Sequence, residues 1–388
     1  MKADNRVGEF IYKNINYFPG LNALRFIAAY LVVIHHSETI RKKYGLLNLQ
    51  SFSLFRNGST AVSFFFVLSG FLITYLLLKE FQKKKDVSIK QFYMRRVLRI
   101  WPLYFLIVLI GGLLIPYAIR LLHIPYEMPY SFHQIWYYYV FFMPFIVNLK
   151  FGHHLLEPLW SIGVEELFYL MWAPLVKILH KYLPIVLLLI IAIKEFLLYA
   201  NLFSNQSLLY GALQMLQFEA MAIGGLGAYL VFHSKRKISS LFLFNTFFQI
   251  VFFLLLALRI CAHSYALESF FASIYQYIFL TPIVSSLLLY SLFLWLIINI
   301  SMNEFSLIRM DNKISNFLGE ISYGIYMYHM LVVFSIILVL KKYMVHLSLF
   351  SSSILFYLIV TTGVLIVSHL SKKWIEDQFL KLKAKFNG

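Results

Sequence analysis

Asn22–His36 reads NALRFIAAYLVVIHH: an early cation, Arg25, then an apolar run of helical length, then a histidine pair, His35–His36. An ionisable side chain within a membrane span is costly and normally marks a functional interior of a helix bundle. Arg25 and His36 stand eleven residues apart. That is close to three helical turns, so the two side chains share a face, separated by roughly 16 Å along the axis. One helix can hold a guanidinium towards one side of a bilayer and an imidazole towards the other.

The chain around this stretch is equally apolar. Of its 388 residues 61% are hydrophobic and 19% aromatic, and the mean hydropathy is +0.74. Soluble domains rarely exceed half apolar composition, which points to an all-α polytopic membrane protein. A net charge of +17 would ordinarily suggest nucleic acid. Here the charges fall between apolar runs, so no nucleic-acid partner is expected. The single cysteine, Cys261, leaves no intrachain disulfide. Met1–Pro19 is polar and mixed, and no cleavable signal is read in it.

Apolar runs near 21–39, 58–78, 98–118, 159–178, 183–200, 213–232, 240–262, 273–299, 318–340 and 351–370 make about ten candidate spans, each near the roughly 20 residues a bilayer requires. The aromatic run FHQIWYYYVFFMPFIV (132–147) is short and broken by Pro144, and it reads as interfacial or re-entrant. With the N-terminus inside, 22 of the 34 Lys and Arg fall on the inner side and eight, Arg41 among them, on the outer. The positive-inside rule therefore favours N-in, C-in. Residues 1–370 form one transmembrane domain. The stretch 371–388, with its apolar-basic pattern KKWIEDQFLKLKAKFNG, reads as a cytoplasmic amphipathic basic tail. The largest extramembrane piece, 119–158, could cap a substrate cavity.

Two further charged constellations stand out. In QFYMRRVLRIWPLYF, Arg96 and Arg99 share a helical face entering the third span. Paired guanidinium forks suit phosphate oxygens better than lysines do, although a positive-inside flank has the same look. In EPLWSIGVEELFYLMW, Glu165 and Glu166 lie about one and a half turns inside the fourth span. Carboxylates at that depth require partners or protons. On the N-in topology the first span ends and the fourth begins on the outer side, so His36 can meet Glu165 or Glu166 as a general-base dyad. A carboxylate–histidine bond that only joins helices would look identical.

Other polar groups carry less. Adjacent Lys194 and Glu195 cannot face one another, so Lys194 needs a structural partner elsewhere. Gly224, Gly225 and Gly227, near Glu219, permit close helix approach. Ser322, Tyr326 and His329 share one face, which helix–helix hydrogen bonding explains as well as substrate contact does. There is no phosphate-binding GxxxxGK[ST] loop, dinucleotide fingerprint or HExxH. His153–His154 lack a spaced third ligand, so no metal site is expected.

Together these stretches resemble the bacterial acyltransferase-3 family of integral membrane O-acyltransferases. The resemblance rests on LNALRFIAAYLVVIHH, on FFFVLSGFLI (Phe64–Ile73), on YMRRVLRIWPLY, on PLWSIGVEELFYL and on LGEISYGIYMYH, five motifs in this order over about residues 15–370. It implies a bacterial inner-membrane enzyme that moves an acyl group, usually acetyl, from acyl-CoA to a hydroxyl of a cell-surface or lipid-linked glycan. It also implies that Arg25, His36 and the Arg96–Arg99 pair are essential. The family's usual Glu-Glu-Gln-Phe-Tyr is here Glu165-Glu166-Leu167-Phe168-Tyr169. The serine-hydrolase-like extracellular domain of some relatives is not read in this sequence, which leaves two expectations: transfer completed by this chain alone, or a separate partner protein in place of that domain. On the combined reading, acyl-CoA docks from the cytosolic face on Arg96 and Arg99, Arg25 lines its route, and His36 with Glu165 or Glu166 activates the acceptor. The rival readings are a secondary transporter or flippase for a charged lipid or glycan, and a scaffold whose charges only specify packing.

Overall fold

The computed structural model describes residues 11–124, 129–152, 154–200, 207–261, 282–383 and 386, all helix, turn or loop, with no strand among them. Gly20 adopts φ 74° and turns the N-terminal segment into α1 (Leu21–Lys43). A side chain there would be strained, and its Cβ would strike Ile300. Long apolar helices follow: α2 (Gly58–Lys84), α3 (Ile89–Leu109), α7 (Leu159–Leu179), α8 (Leu183–Tyr199) and α10 (Phe218–Phe232). Then come α11 (Thr246–Ile260), α12 (Pro282–Met302), the short α13 (Lys313–Glu320), α14 (Ser322–Met344) and α15 (Leu349–Ser371).

Among the described residues seven helices are long and apolar enough to cross a membrane. The expected runs 159–178 and 183–200 merge into one helical stretch, Leu159–Tyr199, interrupted only by a 3-10 turn at His180–Tyr182. The run 240–262 yields only the 15-residue α11. The run 273–299 begins outside the described residues. Charged α1 is 23 residues long but is not one of the seven.

Between α3 and α7 the chain makes three short helices: α4 (Ile115–Leu121), α5 (Phe132–Val140) and α6 (Pro144–Phe151). The aromatic run 132–147 is thus split at Pro144, whose missing N–H suits the first turn of a helix. At nine and eight residues, neither half reaches across a bilayer core.

Packing follows the small and polar residues. A Cβ on Gly70 would collide with the Met221 carbonyl, and one on Gly224 with that of Val67, so α2 and α10 lie backbone to backbone. Lys194 of α8 finds its partner in Glu219 of α10, at 2.8 Å with both side chains buried. Trp172 of α7 donates to Thr74 of α2 (2.9 Å). After α15 the chain continues through a π-turn at Lys372–Glu376 into α16 (Asp377–Lys383). This tail packs along α3, and Arg95 donates to the Phe386 carbonyl (2.9 Å).

Candidate active site

All five sequence motifs reach one cavity of about 390 Å³ near the N-terminal end of α1. Arg25 enters from α1, Phe65 and Ser69 from α2, Arg96 and Arg99 from α3, Glu165 and Tyr169 from α7, and Ser322 and Tyr326 from α14. The N-terminal segment, Ile15 to Phe18, forms part of the wall. It is lashed down by Tyr75, whose hydroxyl donates to the Tyr12 carbonyl (2.6 Å) and accepts from the Ile15 N–H (2.8 Å).

The cations of this cavity hold few hydrogen-bond partners among the described residues. Arg25 donates to Asn22 Oδ1 (3.0 Å). The Arg96 guanidinium lies 5.7 Å from the ring centroids of both Phe92 and Tyr169, and its buried Nε is unpaired. Arg99 is exposed within the lining. Glu165 accepts from the Tyr169 hydroxyl (2.8 Å), which also bonds Ser69. Glu166 accepts from Trp101 Nε1 (2.9 Å) and keeps its other oxygen buried and unpaired. One guanidinium held over two rings, beside two others with N–H groups to spare, suits an anionic ligand.

A second cavity, about 480 Å³, lies at the other end of α1. His36 lines it, together with Lys42, Lys43, Tyr44 and Gln50. His154, Leu155 and Glu157 supply part of its wall, so the segment before α7 does help to enclose a cavity. His154 is itself held by Tyr130 (3.0 Å) and Asn148 (2.9 Å); His153 lies outside the described residues. The partition between the cavities is thin. Tyr326 lines the first and Met330 the second, four residues or about 6 Å of rise apart on α14. Tyr326 is pinned in that wall by bonds to Ser161 (2.7 Å) and the Pro158 carbonyl (2.8 Å).

The expected pairing of His36 with Glu165 or Glu166 is not formed. His36 Nδ1 lies 3.1 Å from His329 Nε2 and 3.1 Å from the Val32 carbonyl. Both carboxylates instead turn towards the arginine cavity and the Trp101 side of α3, because α7 enters the bundle beside α2 and α3 rather than beside the end of α1. Glu157, two residues before α7 starts, is the carboxylate that shares the cavity of His36. Sequence reading singled out His329 only as one of three residues on a shared face; its contact crosses 293 positions and has no local signal. Arg41, counted among the outer-side cations, is fully buried in α1.

A family model described as an acyltransferase domain matches residues 18–371. The chain belongs to this acyltransferase family. The peptidoglycan O-acetyltransferase OatA of Listeria monocytogenes is 28% identical over 178 residues, 43% of this chain and 25% of its own length. The O-acetyltransferase OatA of Staphylococcus aureus (strain NCTC 8325 / PS 47) is 29% identical over 173 residues, 43% of this chain and 26% of that protein. A protein of Staphylococcus aureus (strain COL) reaches 30% over 163 residues, 41% of this chain. The chain thus aligns with only about a quarter of each of these curated relatives. No solved structure gives a significant match. With its apolar helices, this member of the acyltransferase family is a polytopic membrane protein.

Proposed function

We propose that this protein is an acyl-CoA-dependent O-acyltransferase of the bacterial inner membrane, moving an acyl group, the acetyl group named in its relatives, to a hydroxyl of a surface or lipid-linked glycan. One observation carries the reading: five motifs spread over some 300 residues line a single cavity whose arginines have unclaimed donors. The diphosphate of the donor would bind Arg96 and Arg99 by charge-assisted hydrogen bonds, and Arg25 would flank the arm that carries the thioester. The acceptor would occupy the second cavity, its hydroxyl at His36. In the transfer the hydroxyl proton passes to the His36 ring, the oxygen bonds the acyl carbon, and the carbon–sulfur bond breaks. The proton then goes to the departing sulfur, releasing CoA as the thiol and returning the imidazole to its neutral form. Glu165 and Glu166, away from His36, would balance the charge of the arginines rather than act on the base.

The scheme takes ten crossings with both termini inside, α7 and α8 counting as separate crossings that reverse at the His180–Tyr182 turn, each near the length a bilayer core requires. The arginine cavity then opens to the cytosol, with residues 371–388 as a cytoplasmic tail on domain 1–370. Single-cysteine labelling in intact cells tests it: positions in 79–95 should be protected and Ser51 reactive, and the reverse would overturn the orientation.

The activity itself is tested with purified protein in lipid nanodiscs, radiolabelled acetyl-CoA and isolated cell-envelope glycan. Release of free thiol with label on the glycan is expected. A transporter would move solute without consuming thioester, and a scaffold would do neither.

A further inference from the structure

We propose that His329 is the positioning residue of the reaction, fixing the proton of His36 on Nδ1 so that its Nε2 lone pair faces the acceptor cavity. The inference rests on the reading of His36 as the base, and it begins with His329 itself. This ring is fully buried in α14, and its Nδ1 lies 2.5 Å from the Tyr326 carbonyl one turn earlier. A carbonyl only accepts, so Nδ1 of His329 must carry the hydrogen. In the neutral imidazole that leaves Nε2 as a bare acceptor.

That acceptor lies 3.1 Å from His36 Nδ1. Two lone pairs cannot face one another at that distance, so His36 Nδ1 is the protonated nitrogen. The Val32 carbonyl, 3.1 Å from the same atom, requires the same answer. Two independent acceptors thus converge on one N–H, and the other nitrogen, Nε2, is left with the lone pair. Among the described residues no protein group is bonded to Nε2, nor is it a buried orphan. His36 lines the second cavity, so Nε2 is the ring nitrogen left to meet what enters there. The Val32 bond alone runs along its own helix and leaves the ring free to swing; the bond from α14 fixes its plane, with the centroids 5.0 Å apart. When the ring takes up the acceptor's proton and becomes cationic, the Nδ1–H bond to His329 strengthens, because a charged donor makes the stronger bond. An imidazole thereby fills the role often given to a carboxylate behind a catalytic histidine, and Tyr326 links this arrangement to the wall of the arginine cavity.

The test has a spectroscopic arm and a kinetic arm. Protein labelled with ¹⁵N only in histidine rings, in lipid bilayers at neutral pH, should give for His36 a protonated Nδ1 and an unprotonated Nε2, the signal assigned by its loss in His36→Gln. This needs no substrate, so it is separable from failure of the acyltransferase reading. Kinetically, His329→Phe keeps a ring but offers no acceptor, and should lower kcat roughly 10- to 100-fold, as loss of an orienting partner does elsewhere, with KM for acetyl-CoA unchanged. His329→Gln, whose amide oxygen can accept from His36, should recover part of the rate. A His36 ring protonated at Nε2 would overturn the proposal, as would a His329→Phe variant with normal kcat, which would reduce the contact to packing. If neither variant folds, the wild-type tautomer alone decides.

Discussion

Two charged clusters sit on α1 and obey opposite rules. Near its C-terminal end Glu38 and Arg41 are wholly buried and nearly saturated. Arg41 bonds Glu38 at 2.8 Å, Ser352 at 3.2 Å and Ser353 at 3.0 Å, and lies over the Phe356 ring, leaving its Nε unpaired. Glu38 also accepts from the Tyr357 hydroxyl and from the Leu49 N–H. Half a turn away, His36 lines a cavity with one nitrogen held and the other without a bond among the described residues. At the N-terminal end Arg25 has, among the described residues, one bond, to Asn22 of its own helix. Desolvated charge costs several kcal/mol unless it is paired. The bonds around Glu38 and Arg41 offset that cost within the protein and join α1 to α15. The groups at the cavities leave it to be offset by what binds. Saturation marks a structural cluster, and unclaimed donors and lone pairs facing a cavity mark a functional one.

The contrast is tested most strongly at His36. His36→Ala should lower acyl transfer by about 10²- to 10⁴-fold, the usual loss on removing a general base, with the unfolding temperature almost unchanged. His36→Gln should be nearly as inactive. His35→Ala should be milder, because that ring packs against Gly58 at the start of α2. Thiol release under saturating acetyl-CoA measures all three, and near-normal turnover in His36→Gln would move the chemistry elsewhere in the bundle.

Arg41→Ala should behave in the opposite way. It strands the Glu38 carboxylate in the interior, a loss of roughly 3–5 kcal/mol for breaking a buried pair. Thermal unfolding in detergent should show the drop. Replacing both partners, Glu38→Leu with Arg41→Met, should cost less than Arg41→Ala alone. An Arg41→Ala protein of full stability but no activity would break the distinction between the clusters.

The smallest effect is expected at the donor cavity. Arg96→Ala or Arg99→Ala should weaken acetyl-CoA binding roughly tenfold to a hundredfold, on the scale of about 1.5–3 kcal/mol for a hydrogen bond to a charged group. Lysine at either position should recover only part of it, having no planar fork. Titration calorimetry on nanodisc-embedded protein gives the affinities. Unchanged binding in both alanine variants would reduce the pair to a topology signal.

What the sequence determined by itself was everything that depends on neighbours along the chain. Apolar composition and runs near 20 residues dictate membrane helices, whose backbone groups must bond internally when water is absent. The eleven-residue spacing of Arg25 and His36 sends one to each end of α1, and the glycines near Glu219 forecast the close approach of α10. The Lys194 partner was also legible as a need, since its neighbour Glu195 could not supply it. Tertiary structure alone decided which groups meet. Placing α7 beside α2 and α3 took Glu165 and Glu166 to the arginines, and placing α14 against α1 gave His36 a histidine instead of a carboxylate. A helix presents residues three and four apart on one face whatever surrounds it. Which helix that face will touch depends on packing across hundreds of residues, where small side chains and polar bonds select the neighbour, and no local pattern encodes that choice.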